Sequence, residues 1–265
     1  MPERIIHFYS HAKYGDNLEQ LNYVRKLCYA YPNYEFVQYT NEDQLEQLQE
    51  VIEDLDPQVT LKFHGHKPDE AHHTWIGHEG FCRMWPGRNN DRVGFMIAWF
   101  QNLSKRAGVE SPIKCAQDLL FDYPALTKPV VFQENFDVLV INSEPQSGQY
   151  RGFSREGIDN LARGLAQSNK VITIEKVDDL PCTRAMGLSL TEIGSLSRQC
   201  RAVCGVSTGP MWPTFNVWNT GIEFTGMKPS DFVYIVDGEY INYGDNFHKA
   251  DNDIQAYTIM KSLGY

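Results

Sequence analysis

The chain lacks several features whose presence would settle its character at once. No apolar run approaches the ~20 residues that a membrane span requires. There is no basic excess. Only 24 Lys and Arg stand against 34 Asp and Glu, a formal net charge of −10. A general nucleic-acid binder carries the opposite bias on one face, although a local basic pocket for a phosphorylated substrate remains compatible with this balance. The six cysteines (Cys28, Cys82, Cys115, Cys182, Cys200, Cys204) contain no CxxC pair, so reduced and mostly buried thiols are expected. There is no internal sequence repeat and no low-complexity segment. Met1-Pro2-Glu3-Arg4 runs straight into a strand pattern, so no signal peptide and a cytoplasmic location are expected. What is present is ordinary for a soluble globular protein: 42% hydrophobic and 22% charged residues in a length that suits one large domain or two small ones.

The first half reads as a wound unit. Residues 4–9 are rich in Ile, Phe and Tyr, as in a strand buried on both faces. Leu18, Leu21, Val24, Leu27 and Cys28 then fall at helical spacing, which predicts a helix over 17–29. A strand follows at 35–40. Asn41 is a candidate cap for a helix striped by Leu45, Leu48, Val51, Ile52 and Leu55, and 59–63 is a third strand. This β-α-β-α-β order marks a parallel sheet whose ligand edge is the carboxyl end of its strands. Residues 64–92 break the pattern. They hold five histidines (His64, His66, His72, His73, His78) with Trp75 and Trp85, and read as a long functional loop. Helical spacing returns at Val93, Met96, Ile97, Phe100 and Leu103. The Pro-rich, aperiodic stretch 109–135 is expected to be an interdomain linker.

A second wound unit begins with the strand 136–141 and the polar loop Asn142–Gly148. Ser154 is placed to cap a helix with Ile158, Leu161, Ala162 and Leu165 on its inner face. A strand at 171–174, a short helix from Leu190 and a strand at 202–206 follow. Strands are expected at 222–225 and 232–236, and a last helix over 252–263, capped by Asp251. The expected fold is therefore α/β, with two Rossmann-like domains, 1–125 and 126–265, facing across a cleft. The last helix is a candidate to pack back on the first domain.

The chain is organised around Val203–Pro213, a short strand, a Ser207-Thr208-Gly209-Pro210 turn and the start of a helix. Such a turn aims unpaired amides and a hydroxyl out of a sheet's carboxyl edge, where the helix dipole is positive and a phosphate is favoured. A tight turn that needs glycine for backbone freedom alone is the competing reading. Lys13-Tyr14-Gly15-Asp16-Asn17 makes a second strand-to-helix turn in the first half.

The second half, from Phe136 to about Trp218, resembles the donor half of the heptosyltransferase-type glycosyltransferases of lipopolysaccharide synthesis. The order Leu188-Ser189-Leu190-Thr191-Glu192-Ile193, then Cys204-Gly205-Val206-Ser207-Thr208-Gly209-Pro210, carries that resemblance. Ser207 stands where the family usually has an acidic residue, and Met211-Trp212-Pro213 where a His usually follows. Tyr14-Gly15-Asp16-Asn17-Leu18 is similar to the Gly-Asp turn that opens the family's acceptor half. The resemblance implies the two-Rossmann GT-B fold and an inverting, metal-independent transfer of a sugar from a nucleoside-diphosphate sugar to a hydroxyl of a glycan acceptor. It implies Thr208 and Gly209 on the donor diphosphate and Asp16 as general base, with no cofactor beyond the sugar nucleotide.

Such chemistry needs a base at the acceptor hydroxyl, N–H-rich or cationic groups at the departing diphosphate, and a cleft that excludes water. Beside Thr208 and Gly209, the hydroxyls of Ser207, Ser143 and Ser147 are candidates for the phosphates, and Arg151 or Arg155 for the charge. Glu192 is a candidate for the ribose or base, against an ordinary first-turn helix glutamate. Lys13, His66 and His78 are candidates on the acceptor side. Asp16 read from spacing alone is equally a helix cap or a first-turn charge. Two rival readings stand beside the transferase: a non-catalytic nucleotide- or sugar-binding module, and a metal-dependent hydrolase using the 64–78 histidines. The latter lack the i, i+4 spacing of a zinc helix, so no metal site is expected.

Overall fold

A computed structural model describes residues 2–12, 14–53, 58–74, 92–132, 135–145, 154–206, 208–227 and 246–265. Lys13, His78, Ser147, Arg151, Ser207 and the strand expected at 232–236 lie outside the described residues. The chain divides into two compact units, Met1–Ala125 and Leu126–Tyr265.

In the first unit β1 (Arg4–Tyr9), α1 (Tyr14–Ala30), β2 (Tyr34–Thr40), α2 (Leu45–Ile52), β3 (Val59–Phe63), β4 (His72–His73) and α3 (Arg92–Ala107) occur in order. The sheet runs β3-β2-β1-β4, with every pair parallel. Parallel neighbours need a crossover, and α1 and α2 supply the first two. Aromatic residues make the core. Phe8 of β1 stacks on Phe36 of β2, with centroids 6.4 Å apart, and meets Tyr23 of α1 edge-on at 5.8 Å. Tyr23 stacks in turn on Phe100 of α3 at 4.8 Å.

The stretch expected to be a linker is, in its first part, core of this unit. Ile113, Leu119, Phe121 and Tyr123 are buried. Polar side chains of α1 satisfy its irregular backbone and tie it down. The Asn22 amide donates to the Leu119 carbonyl at 3.0 Å, and the Tyr123 hydroxyl donates to the Leu18 carbonyl. Arg25 is fully buried, pairs with Asp122 at 3.5 Å and lies 5.4 Å over the Tyr123 ring. Proline and aperiodicity disfavour a long α-helix and leave 310 turns at Ala116–Leu119 and Pro124–Thr127, but they do not exclude burial once side chains take up the backbone donors and acceptors.

His72 gives this unit a pH-dependent stability. It packs against Phe8, with ring centroids 5.9 Å apart. Burial first, then Arg106, Arg4 and His7, hold its imidazole below the usual 6.5. The folded state therefore binds the proton less readily than the unfolded chain. The contribution is complete above pH 6.5 and is lost as pH falls from there toward the lowered folded value. Thermal unfolding followed from pH 8 to 5 should show the midpoint falling below about pH 6.5, and His72→Phe should flatten that slope. An unchanged slope in the variant would assign the pH dependence elsewhere.

The second unit contains β5 (Val138–Ile141), α4 (Arg155–Ala166), β6 (Val171–Thr173), α5 (Leu190–Ser197), β7 (Ala202–Val206), β8 (Glu223–Met227), β9 (Phe247–Ala250) and α6 (Asp253–Ser262). Its sheet order is β6-β5-β7-β8-β9, again all parallel. Ser154 caps α4, its Oγ accepting the Gly157 N–H at 2.9 Å, and Ile158, Leu161, Ala162 and Leu165 are buried beneath the helix, as their spacing predicts. α6 packs on α4, β8 and β9 of its own unit. Asn252 rather than Asp251 caps it, accepting the Gln255 N–H at 2.9 Å. Among the described residues four thiols are buried, Cys28 in the first unit and Cys182, Cys200 and Cys204 in the second, whereas Cys115 is exposed. Burial pushes the Cys200 and Cys204 thiols up to about 12.

Candidate active site

In each sheet the winding direction reverses beside the first strand. The second unit lays β6 on one side of β5 and β7 on the other. A crevice opens beyond the carboxyl ends of two strands at such a reversal, and ligands of doubly wound sheets bind there. Ser143 lies two residues past β5 and Thr208 two residues past β7, and their hydroxyl oxygens meet at 2.5 Å. Gly205 makes that meeting possible. It pairs with Ile141 across the two strands at φ 141°, and a Cβ there would lie 2.2 Å from the Ile141 carbonyl oxygen.

The helical segment after Thr208 is shorter than the sequence suggests. Gly209–Thr214 forms a 310 turn, because Pro213 inside it has no N–H and its ring obstructs a continuing α-helix. What could favour an anion at this edge is therefore the Ser143 and Thr208 hydroxyls and the Gly209 amide rather than a helix dipole. The Thr208 N–H donates to the Val206 carbonyl at 2.7 Å, the Met211 N–H donates to the Thr208 carbonyl at 2.9 Å, and Pro210 has no N–H. Among the described residues, its two chain neighbours aside, no heavy atom lies within 4 Å of the position a Cβ on Gly209 would take, so nothing described crowds the turn there.

The two other described candidates of this unit, Arg155 and Glu192, are engaged within the structure. The Arg155 Nε donates to both carboxylate oxygens of Asp159 at 2.9 Å, and its Nη2 donates to the Lys176 carbonyl at 3.2 Å. Glu192 forms a capping box with Ser189, accepting the Ser189 N–H at 2.7 Å while the Ser189 Oγ accepts its own N–H at 3.3 Å. Asn142, fully buried beside Ser143, was not singled out by the sequence. It donates to Asp159 at 3.0 Å and to the Glu175 carbonyl at 3.1 Å, and accepts the Glu175 N–H at 2.8 Å.

The first unit reverses between β1 and β4. Tyr9 stacks on His73 at 4.4 Å, His73 stacks on His11 at 4.9 Å, and the Lys67 ammonium lies 4.4 Å over the Tyr9 ring. The Tyr9 carbonyl accepts from the Thr74 amide at 2.9 Å and from the Thr74 hydroxyl at 3.0 Å, which fixes the register of the stack. Asp16 is half-buried in the first turn of α1, where the helix's first amides have no intrahelical acceptor. Beside it, burial and then Glu50 push the Tyr14 phenol up, which keeps it neutral. His66 is exposed and meets Phe63 edge-on at 5.5 Å, apart from the ring stack. The sequence pointed to the histidine-rich segment but not to these partners, because β4 is two residues long and carries no readable period. Among the described residues no group of three or more His, Cys, Asp or Glu is placed to hold a metal ion, and no helix is long and apolar enough to cross a membrane.

Fold and site together define a class: tandem doubly wound α/β units, each with polar or aromatic side chains gathered at its switch point. Solved structures of that class are similar to this chain. E. coli heptosyltransferase WaaC, solved with ADP-2-deoxy-2-fluoro heptose, matches with a TM-score of 0.58 over 98% of this chain and 98% of its own, at 11% identity. The glycosyl transferase family 9 protein from Veillonella parvula matches with a TM-score of 0.51, covering 98% of this chain and 88% of that one, also at 11% identity. The iron-containing dodecameric glycosyltransferase TibC from enterotoxigenic E. coli matches with a TM-score of 0.51 at 14% identity, over 85% of this chain and 59% of its own. No protein-family model and no curated protein sequence matches the chain. The chain thus shares the fold of these glycosyltransferases.

Proposed function

We propose that this protein is a glycosyltransferase. In this reading its two units face across a cleft in the GT-B manner. A sugar passes with inversion, without a metal, from a nucleoside-diphosphate sugar to a hydroxyl of a glycan acceptor in the cytoplasm. The observation that carries the proposal is the meeting of the Ser143 and Thr208 hydroxyls at the switch point of the second sheet, beside the open turn at Gly209. Two hydroxyls and the Gly209 amide are donors suited to a diphosphate, which gains negative charge as the sugar leaves. Asp16 removes the proton from the acceptor hydroxyl. A single carboxylate acting as base implies direct attack on the anomeric carbon and hence inversion. His11, the exposed ring at the end of the Tyr9–His73 stack, offers the acceptor a flat face beside the contacts expected from Lys13, His66 and His78. The shared fold supports the reading, and an adenine nucleotide is the first donor to try, since WaaC structures hold ADP and an ADP-sugar analogue.

A thermal-shift series with ADP, GDP, UDP and CDP tests the donor site. A ligand at a hundredfold excess over its Kd stabilises by ~2.7 kcal/mol. One nucleoside diphosphate should raise the midpoint clearly, and Thr208→Val with Ser143→Ala should weaken its affinity by roughly tenfold or more through lost hydrogen bonds to a charged group. No shift with any nucleotide, or a shift indifferent to both substitutions, would reject the site. Binding without release of nucleoside diphosphate from any sugar donor would instead favour the non-catalytic binding module.

A further inference from the structure

Arg155, itself exposed, heads a hydrogen-bonded relay that runs inward and ends beside the candidate phosphate site. Its Nε grips both oxygens of Asp159 at 2.9 Å. Asp159 accepts the Asn142 amide at 3.0 Å, and its side chain is only 15% exposed. Asn142 has no exposed surface and closes a two-bond clasp on the Glu175 backbone, donating to its carbonyl at 3.1 Å and accepting its N–H at 2.8 Å. The clasp joins the loop leaving β5 to the loop leaving β6. The next residue, Ser143, joins the β5 loop to the β7 loop through Thr208. One asparagine thus stands where three loops of the sheet's ligand edge are tied together, and Arg155 is tied to that asparagine through Asp159.

We infer that Arg155, Asp159 and Asn142 are positioning residues for the Ser143–Thr208 hydroxyl pair, and that Arg155 acts on a bound nucleoside diphosphate through Asp159 without touching it. The inference rests on the proposed donor site. Its physical basis is preorganisation. An asparagine whose amide nitrogen and carbonyl oxygen are both engaged cannot rotate, so the following serine is held in one orientation before any ligand arrives. Asp159 fixes which end of the Asn142 amide is the donor, because a carboxylate only accepts. Arg155 in turn orients Asp159 by sharing its one Nε–H between both carboxylate oxygens, while its Nη2 holds the Lys176 carbonyl.

A double-mutant cycle on the full chain separates positioning from direct contact. The variants are Arg155→Met, Asp159→Asn and the pair, titrated calorimetrically with whichever of ADP, GDP, UDP or CDP shifts the wild type. Each single variant should weaken binding on the order of tenfold. The pair should be no weaker than Asp159→Asn alone within about twofold, because both changes cut the same relay. Losses that multiply in the pair would show Arg155 reaching the phosphate independently, and unchanged affinity in Asp159→Asn would remove the relay altogether. A ligand-free measurement keeps the clasp separate from the donor reading. Amide exchange at Glu175 should accelerate in Asp159→Asn and in Asn142→Ala, and wild-type protection in both would overturn the clasp. If exchange responds but neither the relay variants nor Ser143→Ala change nucleotide binding, the donor site is misplaced and the relay serves only the fold, which also rejects the inference.

Discussion

Asp16→Asn is expected to lower sugar transfer by ~10²–10⁴-fold, the usual contribution of a general base, while nucleoside-diphosphate affinity stays within about twofold of wild type. The substitution is nearly isosteric and removes only the ability to accept a proton. Asp16 lies inside the first turn of α1, so its alternative role is electrostatic, a negative charge among unpaired amides. That role is worth about 0.3–1 kcal/mol at a helix start. The two roles therefore differ sharply in what the variant does. A base lost gives a folded, nucleotide-binding, inactive protein. A helix charge lost gives an active protein with a slightly lower melting point. Single-turnover assays on donor and acceptor, run beside thermal melts of the same preparation, decide between them, and retained turnover would end the assignment of Asp16 as base.

The second large effect is structural. Gly205→Ala should prevent the second unit from folding, or cost it more than ~4 kcal/mol, a size reserved for severe backbone and packing faults. Gly205 sits inside β7 at φ 141°, and a Cβ would meet the Ile141 carbonyl oxygen at 2.2 Å and the Ile141 nitrogen at 2.8 Å. Those atoms belong to the backbone of the neighbouring strand and have no rotamer through which to yield. Relief requires parting β5 from β7, which are central strands of the sheet and support the Ser143–Thr208 pair. Circular dichroism and denaturant unfolding of the variant read this directly. A folded Gly205→Ala protein of near-native stability would mean that the strand approach is looser than this geometry.

Much of the frame was legible because burial and period agree there. The stripe Ile158, Leu161, Ala162 and Leu165 predicts α4, and Ser154 supplies its cap by an ordinary hydroxyl-to-amide bond. Other parts were hidden for identifiable reasons. β4 is held by pairing with β1 over only two residues, too few for any alternation. Ile113, Leu119, Phe121 and Tyr123 are buried in a stretch tied to α1 by side-chain bonds in both directions, from Asn22 and from Tyr123, that no local pattern encodes. The turn at Gly209 was legible, but Pro213 cuts short the helix expected after it. Within the candidate site, sequence spacing identified Ser143 and Thr208 separately. Their meeting depends on sheet order, since the two residues are 65 positions apart in the chain while β5 and β7 are neighbours in space. Arg155 was selected for its charge. The structure places that charge on Asp159, a partner one helical turn away on the same face.

The thiols give each unit a chemical stopwatch. Cys28 is sealed in the first unit, and Cys200 and Cys204 in the second, where burial suppresses the thiolate that reacts. A modifying reagent reaches them only when the surrounding structure opens, so the rate at which each is consumed converts into the opening equilibrium of its own unit. Cys115, exposed on the first unit, reacts without waiting and calibrates the reagent in the same tube. Mass spectrometry of a partly labelled sample would therefore rank the endurance of the two halves without introducing a single substitution, and would show in which half a bound nucleotide slows the clock.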